Sequence, residues 1–302
     1  MARFGSERGV SAVPTEIQQR MLKQLQNVTA DIYRMSEATG QDRGTLRDLH
    51  ACARLLEEQA REIGIPERWI AHVRARGTTG VRWSARQQLP ASRTEAREQQ
   101  LARLHAQVDQ LFEMAAVQTI YRDNRGWIEP PLAERFDEFQ RLQWLRVRLV
   151  ARALNITGAE VGTRWSSEPR RWTALLEKTR SYSAPELSKR WKSYTSAVAV
   201  AHARTRYQAL RTVGLDPDRA PAPPHPHELN SAAETAWRTT NSDVTTGSAG
   251  STTTADWERG ARIAEAVDAA APQQRDAEVA DTDNPAVTAT PEISQLNTEI
   301  EP

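Results

Sequence analysis

The chain has 302 residues, 39% of them hydrophobic, with a formal net charge of +1; this length holds two domains, or one domain with a long appendage, and the apolar content is low for a chain folded throughout. No stretch approaches the run of about 18 apolar residues that spans a membrane, residues 1–10 lack the apolar core of a secretory leader, and one cysteine, Cys52, excludes an intrachain disulfide and a cysteine-only zinc site. The expected location is the cytoplasm.

The small net charge conceals a division. Residues 221–302 hold four Arg and fourteen Asp or Glu, a net of −10, so the first 220 residues carry 36 basic and 25 acidic side chains, a net of +11. A basic body beside an acidic tail is the pattern of a chain that faces a polyanion. Of the 40 basic residues, 36 are Arg, whose planar fork grips phosphate with two parallel hydrogen bonds. A GC-rich coding bias yields the same excess with no function attached, and charge excesses also serve solubility alone.

The body reads as helix from its start. Between Thr15 and Ala38, residues Ile17, Met21, Leu25, Val28, Ile32 and Met35 recur at helical spacing, and Gly40 supplies a stop. A second helix opens at Thr45, turns Leu49, Cys52, Ala53, Leu56, Ala60 and Ile63 inward, and ends at Gly64. Cys52 is thereby expected as a small core residue.

The stretch 56–73, LEEQAREIGIPERWIAHV, resembles the helix-turn-helix unit of DNA-binding proteins. It has a small Ala60 where two helices cross, Gly64 to permit a left-handed turn, and apolar Ile63, Ile65, Ile70 and Val73. Pro66 suits the first turn of the second helix, where the amide it lacks has no partner. Gln59 departs from the pattern, in which an apolar residue precedes the Ala. With Ile70 and Val73 inward, Arg68, His72 and Arg76 fall on the outer side, and the resemblance implies Arg68 at a guanine edge with Arg74 and Arg76 on phosphates. An ordinary helix corner used for packing satisfies the same pattern.

Segment 77–91, with Gly77, Gly80 and Pro90, is the best internal boundary and divides 1–88 from 89–215. A third helix starts at Ser92, where Glu95 completes a capping box. It runs to about Tyr121 with Leu101, Leu104, Val108, Leu111 and Ala115 at coiled-coil spacing. That stripe serves a homodimeric seam or a bundle core, and its short length without complementary flanking charges favours the bundle. Pro130 and Pro131 introduce a fourth helix over about 132–154, with Arg141, Arg148 and Arg152 along one face. At its end, 150–161 looks like the 56–73 turn again, with Asn155 in place of Gly. Pro185 introduces a fifth helix that continues to Gly214 with Leu187, Trp191, Tyr194, Val198 and Ala201 as its inner stripe.

Prolines 217, 221, 223, 224 and 226 then end the helical pattern, and the remainder has few large aliphatic residues to offset its ordering entropy. Residues 216–302 are therefore expected to form a disordered acidic tail, with one short helix at 254–270 and with Trp237 and Trp257 as anchors for a protein partner. Five of the nine tryptophans directly follow an arginine, an order that suits cation–π stacking and equally an inward Trp beside a solvated Arg. No phosphate-binding glycine loop, zinc-protease helix or nucleophile elbow is present, so no enzyme, cofactor or metal is expected. His225, His227 and Glu228 read as linker residues.

The fold expected is an all-α multi-helix bundle with long amphipathic helices and a disordered acidic C-terminal tail. The function expected is non-enzymatic association with double-stranded DNA through Arg68, His72, Arg74, Arg76, Arg148 and Arg152. The alternative is a helical, coiled-coil-type scaffold that forms a homodimer or binds a protein through its tail. Arginines gathered on one continuous surface favour DNA, and arginines scattered and neutralised favour the scaffold.

Overall fold

A computed structural model describes residues 13–38, 42–92, 97–217 and 221–247. Ten α-helices and no strand occur among them, so the chain is an all-α bundle. No helix of the described residues is long and apolar enough to cross a membrane.

α1 (Glu16–Glu37) begins at Thr15, whose hydroxyl accepts from the Gln18 amide while the Gln18 side chain accepts from the Thr15 amide. α2 (Arg43–Glu62) starts ahead of Thr45 because the Asp42 carboxylate caps the amides of both Gly44 and Thr45. α3 (Glu67–Gly77) follows the corner at Gly64. α1 packs along both α2 and α3. Its Met21, Leu22 and Leu25 share a core with Leu56, Ala60 and Ile63 of α2 and Trp69, Ile70 and Val73 of α3. α3 approaches α1 at Gly77, where a Cβ would stand 2.5 Å from the Thr29 Cβ. Cys52 is exposed on α2, a correction to its expected place in the core; the buried arc of that helix is Leu56, Gln59 and Ala60.

α4 (Arg97–Arg125) is the central helix; residues 93–96, and with them the expected capping box, lie outside the described residues. From Leu111 to Ile120 it is buried on nearly every side by α5 (Pro130–Ala153), α7 (Pro169–Arg180), α8 (Ala184–Thr195) and α10 (Pro226–Gly247). The stripe from Leu101 to Ala115 therefore faces helices of its own chain. The helices on either side of 77–91 contribute to one continuous core, and the segment itself folds back on α1: the Gln26 amide donates to the Val81 carbonyl and Asn27 accepts from the Trp83 amide.

Three differences from expectation have physical causes. α7 is not evident in the sequence because its buried stripe is short, Trp172, Leu176 and Thr179. The expected fifth helix is two, α8 and α9 (Ala197–Thr212), since Ser196 ends one in an extended conformation and caps the next by accepting from the Ala199 amide. That break resets the helical phase, so Val198 is 64% exposed and Val200, Ala203 and Leu210 turn inward instead. Finally, the tail does not begin at 216: α10 packs on α4, α5 and α7 with Leu229, Ala233 and Trp237 buried. The expected disorder of 216–302 is corrected for 226–247. Its three anchors sit four residues apart in polar sequence, and the groove that receives them is not visible from composition. Trp257 and 254–270 lie outside the described residues.

Candidate nucleic-acid interface

The corner after α2 is built by three backbone hydrogen bonds, from the amides of Ile63 to Gln59, Gly64 to Arg61 and Ile65 to Ala60, at 3.1, 3.1 and 3.0 Å. The six-to-one bond from Ile65 requires a left-handed residue before it, and Gly64 sits at φ +75°. After α5, the amides of Leu154, Asn155 and Ile156 bond to Val150, Arg152 and Ala151 at 2.9, 3.0 and 3.0 Å, with Asn155 at φ +49°. The two turns matched in sequence thus have the same backbone hydrogen-bond pattern. A third, missed in sequence, follows α9: Leu210-Arg-Thr-Val-Gly-Leu215 repeats the spacing, Gly214 is at φ +82°, and its amide bonds to Arg211.

Each corner is capped by an arginine from elsewhere. Arg103 donates to the Arg61 carbonyl at 3.4 Å, Arg97 to Leu154 at 2.7 Å and Asn155 at 3.4 Å, and Arg20 to Val213 at 3.4 Å. A cation at the carbonyl end of a helix satisfies orphan acceptors and opposes the negative end of the dipole. Part of the arginine excess is therefore architecture.

Arg97 also forks onto Glu160, at 2.7 and 2.9 Å. That pairing, with the Thr157 amide and hydroxyl, holds the Glu160 carboxyl down at about 2. A depressed folded-state value contributes stability above the ordinary carboxylate range and loses it as pH falls from about 4.5 towards 2. Titration followed by carboxyl NMR is expected to place Glu160 near 2 in the wild type and to raise it in Arg97→Gln, while the Thr157 amide and hydroxyl still hold it below the ordinary range. A wild-type midpoint in the ordinary range would contradict the fork.

On α3, Trp69, Ile70, Val73 and Gly77 are buried, which leaves Glu67, Arg68, Ala71, Arg74 and Ala75 facing solvent, with Glu67 paired to Arg61. His72 and Arg76 sit at the edge, half-buried, with His72 Nε2 and Arg76 Nε enclosed and lacking a hydrogen-bond partner among the described residues. The outer stripe is thus shifted from the expected 68, 72, 76, because burial of Trp69 turns the apolar arc towards that side. Arg68 donates one bond to the Ala91 carbonyl at 2.8 Å, and Arg74 lies 3.4 Å from Glu57, which also pairs with Arg61. The Gly64 corner behind them is buried; a Cβ there would stand 2.7 Å from Gln100 Nε2 and 3.1 Å from Leu154.

Arg148 and Arg152 belong to α5 and are half-buried, Arg148 with its guanidinium 4.6 Å from the Trp144 ring centre. They are held by different elements from Arg68 and Arg74. Other arginines brace helix against helix: Arg190 to Glu113, Arg204 to Glu138, Arg206 to Glu58, Arg171 to Asp109 and Arg146 to Glu62. Trp237 is a core residue of the described fold rather than an anchor held out from it. No group of three or more His, Cys, Asp or Glu among the described residues is arranged to hold a metal. No protein-family model, curated protein or solved structure matches this chain.

Proposed function

We propose that the protein is a non-enzymatic, cytoplasmic, DNA-associated helical protein that meets the duplex through the solvent-facing side of α3. The observation that carries this reading is the combination of a glycine corner, a helix braced from behind by α1, and an exposed strip in which small Ala71 and Ala75 lie beside Arg68 and Arg74. Small side chains let the helix axis come close to the floor of a major groove about 12 Å wide, while flanking guanidiniums reach base edges and phosphates. Those arginines have existing commitments. Arg68 spends one of its donors on Ala91, and Arg74 is half-exposed and meets the largely buried Glu57 at 3.4 Å, a carboxylate it shares with Arg61. His72 and Arg76 border the strip; Arg148 and Arg152 are left out of it.

The test is a gel shift with the full chain across a salt series. Wild-type affinity is expected to fall steeply with salt, Arg74→Ala to lower the slope of log K against log salt by about 0.9, the value for one phosphate contact, and Arg68→Ala to relax sequence preference. An unchanged slope removes α3 from the interface, and absence of binding at low salt removes DNA.

A second reading, a helical interaction or scaffold protein, is favoured by the criterion set from the sequence: Arg148 and Arg152 sit on a different helix from Arg68 and Arg74, and several other arginines pair with a carboxylate on another helix and are neutralised locally. Under it the exposed α3 strip meets a protein. The low-salt gel shift separates the two.

A further inference from the structure

We infer that the cleft between α4, α5 and the start of α10 binds a small hydrophilic zwitterion of the free amino-acid class, with its carboxylate on Arg141 and its ammonium on Asp137. The cleft has a volume of about 390 Å³, the size of a small-molecule site. Gln118 of α4 and Gln140 of α5 line it and are 6% and 0% exposed. α10 closes the other side, held by two hydrogen bonds at 3.1 Å that the Gln140 and Asn230 amides exchange. His225 and His227, which read as linker residues in the sequence, also line the cleft.

Charge selects the ligand. Arg122 pairs with Glu234, so one cation and one anion of the lining answer each other. Arg141 and Asp137 are left. They stand one turn apart on α5, a spacing at which a carboxylate and a guanidinium can pair, yet no ion pair joins them. Arg141 has no hydrogen-bond or charge partner among the described residues. Asp137 accepts from Gln118 and lies near Arg122, both of which favour its ionised form, but the loss of water around it outweighs them and raises its carboxyl above the ordinary value. A ligand ammonium supplies the compensation that is missing.

Other ligand classes fit worse. A phosphate meets the carboxylates of Asp137 and Glu234, and a simple cation meets Arg122 and Arg141. A nucleobase finds no Trp, Tyr or Phe to stack on, and a lipid finds no apolar wall, since Pro226 is the one apolar residue among the described residues that line the cleft. A molecule with a carboxylate and an ammonium close together satisfies both unpaired groups at once. A polar side chain on it then meets the Gln118 amide and the Ser231 hydroxyl.

The experiment is isothermal titration of the full chain with L-glutamine, L-asparagine and L-serine, each beside its N-acetyl and methyl-ester derivatives, and with inorganic phosphate. At least one free amino acid is expected to bind saturably. Blocking its amine or its carboxylate should weaken binding at least about ten-fold, the effect of losing a charge-assisted hydrogen bond. Arg141→Gln and Asp137→Asn are expected to weaken it as much and to keep the helical signal of the wild type, because both residues are exposed and Asn still offers Gln118 an acceptor. Absence of binding by all three amino acids, equal binding of free and blocked forms, unchanged affinity in Arg141→Gln or in Asp137→Asn, or a preference for phosphate each overturns the inference. None of these outcomes depends on whether α3 binds DNA.

Discussion

Replacing Arg146 by alanine is expected to cost about 3–5 kcal/mol of folding stability, the range for breaking one side of a buried ion pair. Arg146 is 5% exposed. Its Nη2 and Nε donate to the two oxygens of Glu62 at 2.8 and 3.3 Å, and its Nη1 donates to Gln143 at 2.9 Å. The substitution removes all three bonds and leaves the Glu62 carboxylate with little water and without this counter-charge. Against a total stability of about 5–15 kcal/mol for a domain, that is a large fraction. The pair as a whole has no such value, because both ions lost their hydration on folding. Arg146→Met combined with Glu62→Leu is therefore expected to fall within about 1 kcal/mol of the wild type. Urea midpoints of the two single variants and the double variant decide the matter. A single-variant cost below about 1 kcal/mol would mean that water reaches the pair.

Trp191→Ala is expected to cost about 3–5 kcal/mol for a different reason, the cavity left by a large ring. Trp191 is 1% exposed on α8 and stacks against two rings, Tyr121 at 4.6 Å and Phe136 at 4.9 Å between centroids, nearly parallel to both. These rings come from α4 and α5, so one side chain joins three helices. Its indole N–H has no acceptor among the described residues, which means Trp191→Phe forfeits ring area but no hydrogen bond. The phenylalanine variant should retain more than half of the stability that alanine forfeits, and thermal unfolding of the two side by side checks it. Equal losses would indicate that the indole N–H holds a buried partner such as a water molecule.

Legibility in sequence followed the length and regularity of the apolar pattern. α1, α2 and the central helix α4 announce themselves through sustained stripes, and α3 through the corner pattern around Gly64. Val198 marks the limit of periodicity. Its spacing from Tyr194 is helical, but one serine at 196 serves as stop and start together, and the residues after it change face. The candidate interface was legible as a turn and misread as a face: Ile70 and Val73 do point inward, yet Trp69 joins them and moves His72 and Arg76 to the edge. Arginine counts carried no information about destination. The guanidiniums of Arg20, Arg97 and Arg103 end on helix carbonyls in other parts of the chain, and no local pattern distinguishes them from arginines left to solvent.

Amino-acid order alone determined that the chain is helical, where its prolines and left-handed residues interrupt it, and that acidic charge gathers at its C-terminal end, because propensity, period and charge are local properties. Only the tertiary structure decided which arginines are spent on carboxylates and carbonyls, that Cys52 faces outward, and that residues 226–247 fold. Each of those outcomes depends on a surface assembled from distant segments, and for α10 that surface supplies the burial its own sequence lacks.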